Sequence, residues 1–216
     1  MKGTRAASLV SLILGIARGL LTLALALTVF LVVAVPFTER LDMEVDVSWF
    51  TLGTSMTIPV QFRVDADAPR ISAPSIGVDH AELREARGSL RFPTQEGSFL
   101  FINAAFLIAL LLLAIWGLEQ LHKVFGTLRK GQPFIAANAR RLRRVAVAVI
   151  ASELVRASMV SFDQYYAMTH FRATGLIFDA SFIVDFSAIV LGLVILAIAE
   201  VFAAGTRLDE DQALTV

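Results

Sequence analysis

The chain contains no cysteine, which excludes a disulfide framework, a thiol nucleophile and any cysteine-ligated metal centre, whichever side of a membrane its loops face. Histidine is scarce as well. His80, His122 and His170 lie in three separate segments and form no metal-ligand spacing, so no metal and no cofactor are expected. Net charge is also missing, because 19 basic residues balance 19 acidic ones, and no global field favours nucleic acid or an acidic substrate. The catalytic signatures are absent too: the chain has no G-x-S-x-G elbow, no H-E-x-x-H and no phosphate-binding glycine loop. No enzyme is expected.

What the chain does have is apolar length. Its 216 residues are 56% hydrophobic and 18% charged, with a mean hydropathy of +0.71, a composition outside the soluble globular range that points to one compact membrane domain. A helix needs about 20 apolar residues to span a bilayer. Four stretches meet or approach that length, at residues 8–36, 99–118, 145–162 and 178–204. The first follows Lys2 and Arg5 but is too long for a signal-peptide core, and reads as a retained signal anchor closed by Pro36. Arg18 lies 18 residues before Pro36, about 27 Å along a helix, near the inner interface where its stem can snorkel.

Orientation follows from the flanks. Residues 119–144 carry seven basic residues, among them Arg140, Arg141, Arg143 and Arg144, against the single acid Glu119. That loop is expected in the cytoplasm, with the arginines as a topogenic collar. Lys2 and Arg5 place the N-terminus on the same side, whereas residues 37–98 hold ten acids and six arginines, as an exported loop does. The expectation is an all-α membrane protein with four transmembrane helices, a small β-rich exported loop between helices 1 and 2, and both termini in the cytoplasm. The collar lacks interleaved aromatics, so direct nucleic-acid binding is not expected.

Within the exported loop, Met43, Val45, Val47 and Trp49 alternate with Glu44, Asp46 and Ser48, and Met56, Ile58, Val60, Phe62 and Val64 alternate with Thr57, Gln61, Arg63 and Asp65. Both carry the period of a half-buried strand. Leu52 and Gly53 in the connection predict a hairpin, and Leu90 with Phe92 a third strand after Gly88. Asp65, Asp67, Pro69 and Pro74 mark a polar turn, and residues 80–87 fit either a short helix or a strand. A two-stranded hairpin is marginal alone, so its apolar face needs a third strand, the helix tops or a second copy of the chain. A homo-oligomer is one expectation, and the cap is either a ligand-sensing or a purely structural lid.

Two membrane stretches carry charge. Glu153 and Arg156 are three residues apart and share a helix face, and counting from Asp163 and from Asp179 puts Arg156 and Asp185 at similar depth. Buried charges in a bilayer face the bundle interior and pair. The spacing predicts an Arg156–Asp185 ion pair with Glu153 completing a triad, which either locks helices together or serves a small transporter or channel subunit. Ser181, Asp185, Ala188 and Gly192 form a small-residue face for close packing. Glu200 at the inner boundary is matched to Arg18 or to a collar arginine.

Leu118, Leu121, Val124, Phe125 and Leu128 continue the second crossing as an amphipathic helix, ended by Gly131 and Pro133. Phe134 opens a second piece leading through Asn138 into the third crossing. The run Gly131, Gln132, Pro133, Phe134, Asn138, Arg141, Leu142 and Arg143, with Val201, Phe202, Gly205 and Leu208 and the ending from Asp209, Glu210 and Asp211 to Val216, resembles the bacterial domain of unknown function 2975 family over roughly the C-terminal half. The resemblance implies a four-pass protein of the bacterial inner (plasma) membrane, often encoded beside a small helix-turn-helix transcription regulator, with no established enzymatic activity. With it comes one functional expectation: the turn at residues 131–138 within the cytoplasmic connector 119–144, and the acids Asp209, Glu210 and Asp211 within the acidic tail 205–216, dock a basic DNA-binding partner, the two surfaces converging only if the tail folds back beneath the collar. The preferred reading is a membrane-bound regulatory or interaction protein.

Overall fold

A computed structural model describes residues 2–34, 45–47, 50–52, 55–64, 71–73, 78–81, 85–93, 97–173 and 176–213. Four long helices dominate, α1 (Lys2–Ala34), α2 (Gly97–Arg129), α3 (Ala136–His170) and α4 (Phe186–Ala213), and all four are long and apolar enough to cross a membrane. The architecture is the one expected of a multi-pass membrane protein. At 33 and 35 residues, α2 and α3 are about 50 Å long, well beyond a hydrocarbon core of about 30 Å.

The helices bury stripes and expose the rest. On α1 the buried residues Ser11, Leu14, Thr28 and Leu31 lie along one face, while Leu12, Ile16, Leu20, Leu23 and Phe30 stand open. Alpha-4 likewise buries Ala199 and Thr206 and exposes Val190, Leu193, Val194 and Val201. An apolar outer surface of this extent suits hydrocarbon and not water. In α3, 33% of the most apolar stretch is buried, against 17% in α2 and 11% in α1 and α4. The third crossing is therefore the interior one.

The described residues fall into two compact units. One holds α1, the greater part of α2, the first part of α3 up to Arg156, and α4. Where Gly117 faces α3, a Cβ would stand 3.4 Å from Ala148 Cβ, and at Gly192 of α4 it would stand 2.5 Å from Ile150 Cγ1. Close helix approach through small residues is thus present at Gly192. Ser181, expected on the same helical face, is not helical, because α4 begins only at Phe186.

The other unit holds the strands, with the first turn of α2 and the last part of α3. Beta-1 (Val45–Val47) pairs antiparallel with β2 (Phe50–Leu52), and β4 (Ile71–Ala73) with β5 (Val78–Ala81). A three-stranded sheet is ordered β6-β3-β7, where β3 is Ser55–Val64, β6 is Glu85–Pro93 and β7 is Leu176–Asp179. The alternation at residues 56–64 buries Ile58 and Val60, with Phe92 of β6 also buried. Phe92 lies against Phe99, Tyr166 and Phe171, with ring centroids 4.7–6.1 Å apart.

Two expectations need correction. The first strand does not form a hairpin with residues 56–64, because Val45 pairs with Leu52 across a shorter return and β3 pairs instead with β6, Ile58 opposite Leu90. The third strand is real, and of residues 80–87 the described ones, 80–81 and 85–87, lie in strands. The fourth crossing does not start at residue 178. Leu176–Asp179 is a strand whose backbone groups are satisfied by β3, Phe178 opposite Phe62, and a segment committed to a sheet cannot also satisfy them in a helix. Pro36, Met43, Glu44, Ser48, Trp49, Gly53, Asp65, Asp67, Pro69 and Pro74 lie outside the described residues.

Candidate functional site

The connector between α2 and α3 is built from its backbone outward. Gly131 has φ +73°, a conformation that favours glycine, and it closes α2 with two reversed bonds: Gln132 N–H donates to Thr127 O at 3.1 Å and Gly131 N–H to Leu128 O at 3.1 Å. This is a Schellman cap. After Pro133 the chain turns into α3, where Asn138 is fully buried. Its amide Nδ2 donates to Thr127 Oγ1 at 2.7 Å and to Pro133 O at 3.0 Å, and its Oδ1 accepts from Arg141 Nη1 at 3.1 Å. Arg141 also reaches Lys123 O at 3.4 Å. One amide therefore ties the end of α2, the turn and the start of α3 together.

A second tie brings in α4. The ring of Phe134 lies over Gly205, where a Cβ would stand 2.6 Å from Phe134 Cδ1, and its centroid is 5.8 Å from that of Phe202. Beneath it Val124, Leu142 and Ala199 form a buried cluster flanked by Leu128 and Phe202. Arg143 then grips Glu200 with two bonds of 2.9 and 3.0 Å, so the acid at the inner boundary is matched by a collar arginine. Gln120, buried on α2, accepts from Arg144 Nη1 at 3.5 Å. Gly131, Pro133, Phe134, Asn138 and Arg141 are thus brought together in one clasp. Leu208 is 64% exposed and does not join it. The backbone of α4 runs on as helix to Ala213 without folding back, and the side chains of Asp209, Glu210 and Asp211 lie outside the described residues.

Deeper along α3, Glu153 is buried and accepts a two-pronged contact from Arg156, Nε to Oε2 at 2.8 Å and Nη2 to Oε1 at 2.6 Å. Asp185 joins through its backbone, whose N–H donates to Glu153 Oε1 at 2.6 Å. Its carboxylate Oδ1 accepts from Ser187 N–H at 2.8 Å, the bond of an N-cap aspartate on the first turn of α4. The predicted grouping of Arg156, Asp185 and Glu153 is present, and Arg156 and the Asp185 carboxylate attract each other electrostatically, but the hydrogen bonds are shared out differently from the expectation. The hydrogen-bonded pair is Arg156 with Glu153, one helical turn apart, and Asp185 contributes a main-chain donor because α4 starts one residue after it. The three residues are together, but the interior helix neutralises its acid from its own sequence.

In the strand unit, Asp179 of β7 accepts from Arg63 of β3 at 2.8 Å. That guanidinium holds the Asp179 carboxyl below the usual carboxylate range. Ser181, just beyond β7, is fixed by polar groups of α3 and β3: its N–H donates to Gln164 Oε1 at 2.9 Å, its hydroxyl donates to Gln61 Oε1 at 3.0 Å, and its carbonyl accepts from Ser161 at 3.2 Å. Neither these polar partners nor Thr127 falls in a recognisable motif, so sequence reasoning misses them. Gly205 stands in the C-terminal motif, but its role as the seat of Phe134 is visible only in the fold. Among the described residues no group of three or more histidines and acids could hold a metal ion.

No curated protein and no solved structure matches the chain. One family does, over residues 69–216, beginning inside the strand-rich segment and well ahead of the connector where the motifs start. The match covers more than half of the chain and takes in α2, α3 and α4 with the clasp between them, so the chain belongs to the family described as protein of unknown function DUF2975.

Proposed function

We propose that the chain is a four-pass protein of the bacterial inner membrane, with both termini in the cytoplasm, that works as a regulatory or interaction protein and not as an enzyme. Its partner in this reading is a soluble cytoplasmic regulator of the helix-turn-helix kind. The observation that carries the reading is the clasp. Asn138 and Phe134 fix the ends of α2, α3 and α4 in one arrangement, beyond which α4 projects as helix to Ala213. A rigid support with a projecting acidic helical end fits a docking platform for a basic partner.

Topology is supported by the sheet. Beta-3 lies between α1 and α2, β7 between α3 and α4, and the two are hydrogen-bonded neighbours. If the helices cross a bilayer, this pairing puts both connections on one side of it, which fits α2 and α3 crossing out and back as a pair. The seven basic residues of the intervening connector favour the cytoplasm for the opposite side. Self-association belongs to the reading as well, because β6 and β7 are the outer strands of their sheet and edge strands offer backbone groups to another copy. A transporter built on Glu153 is less well supported, because both carboxylate oxygens already accept hydrogen bonds.

The test is purification of the tagged protein from its native host in mild detergent, with mass spectrometry of what co-elutes. A stoichiometric DNA-binding protein that is lost on deleting residues 209–216 supports the proposal. Elution of the chain alone, under conditions that preserve its fold, refutes it.

A further inference from the structure

The collar is not uniform. Lys123 is paired with Glu119 at 2.6 Å, Arg143 with Glu200 at 2.9 Å, and Arg141 is turned into the clasp. Arg140 and Arg144 stand differently: both are exposed on α3, four residues apart on one face, and the contact of Arg144 is to the neutral Gln120. Like charges at that spacing repel across about 6 Å and destabilise a helix. Local physics therefore leaves a place for an anion between them.

The apolar residues further along the same face decide which anion. Continuing by four and three residues, the stripe of Arg140 and Arg144 meets Val147, 55% exposed, and then Leu154, 46% exposed. From Arg144 to Leu154 is ten residues, about 15 Å, which is half of a hydrocarbon core of about 30 Å. A phosphate at the arginines with an apolar chain running one leaflet deep is the shape of a phospholipid. The geometry points to an anionic phospholipid held on α3, its phosphate bridging Arg140 and Arg144 and its acyl chain lying over Val147 and Leu154. The site would fix α3 at the interface, and it rests on the reading of the four helices as membrane-spanning.

The test uses the full chain in nanodiscs of equimolar phosphatidylcholine and phosphatidylglycerol, followed by gentle detergent extraction and native mass spectrometry of retained lipid. Wild-type protein should retain phosphatidylglycerol over phosphatidylcholine. Arg140→Gln with Arg144→Gln should weaken that preference about thirtyfold, from about 1 kcal/mol for each basic residue at an anionic surface. Arg129→Gln with Lys130→Gln removes the same charge elsewhere in the collar and should leave the preference largely intact. Equal loss in both double variants, or no preference in the wild type, overturns the lipid site while leaving the membrane reading standing. Failure of the wild type to enter nanodiscs or retain any lipid overturns both. Inorganic phosphate at matched ionic strength should not displace phosphatidylglycerol, and displacement by it would reassign the site to a free anion.

Discussion

Asn138 is the residue whose replacement discriminates most sharply between a structural clasp and a recognition surface. Asn138→Ala removes two donors and one acceptor from a fully buried position, leaving Pro133 O, Thr127 Oγ1 and Arg141 without that partner. Each neutral bond contributes about 1 kcal/mol net, and one to a charged group about 1.5 to 3 kcal/mol. Arg141 and Thr127 are only partly buried, so water replaces some of what is lost. The expected cost is about 2 to 4 kcal/mol, with the lower half of the range applying if the turn opens enough to hydrate.

The assay is denaturant unfolding of the detergent-solubilised chain, with Thr127→Val and the double variant completing a cycle. A coupling of about 1 kcal/mol between positions 138 and 127 is expected for one hydrogen bond between neutral groups. A cost for Asn138→Ala below about 0.5 kcal/mol, the range of ordinary surface substitutions, would refute the clasp. So would strict additivity with Thr127→Val. In either case Asn138 would have to be explained by a partner.

Other outcomes rest on the same geometry. Gly205→Ala should expel the Phe134 ring and cost about 1 to 3 kcal/mol as an overpacked contact, yet be close to neutral in a Phe134→Ala background, read by thermal unfolding of all four variants. Glu153→Ala, which leaves the Arg156 guanidinium without its carboxylate, should cost about 3 to 5 kcal/mol, and Arg156→Ala added to it should recover folded yield in membranes. Asp179 has its folded pKa depressed by Arg63, so its contribution is present above the unfolded carboxyl pKa and lost as pH falls through the folded one. Backbone amides of the β3–β7 ladder should therefore lose hydrogen-exchange protection on acidification ahead of those of β3–β6. Unchanged relative protection would mean that Asp179 does not hold β7 in place.

Much of this fold is legible in the sequence because long apolar runs have few alternatives. The starts and partners of elements are harder to read. Residues 176–184 include Leu176, Ile177, Phe178, Phe182 and Ile183, and composition cannot tell whether such residues extend a helix or form a strand. Only the pairing with β3, over a hundred residues away in sequence, decides it. The same ambiguity carries over to Asp185, because a side chain placed inside a helix points to a neighbour, whereas at a helix start it caps its own backbone. The cap is visible in principle as an aspartate just before an apolar run. Glu153 and Arg156 need only their spacing, and the Gly131 turn only its glycine and proline. Thr127 offers no signal, since a threonine in an amphipathic helix is ordinary until its partner is known.

Family resemblance and physical role converge on the same residues here, and that limits what the resemblance can say. Gly131 closes a helix, Asn138 ties backbone, hydroxyl and guanidinium groups to one point, and Phe134 sits in the gap left by Gly205. Every one of these roles is satisfied inside the chain, so a sequence that keeps them keeps a helix arrangement and need not keep an activity. The two motifs belong together because Phe134 and Gly205 touch, whatever the protein does. Function is then better sought on groups the clasp leaves free to meet something else: the Arg140 and Arg144 face of α3, and the helical end of α4 beyond Leu208. In the proposed reading the first would meet lipid and the second a protein. A chain that is held at the interface by one and contacted through the other would couple the state of the membrane to a soluble partner.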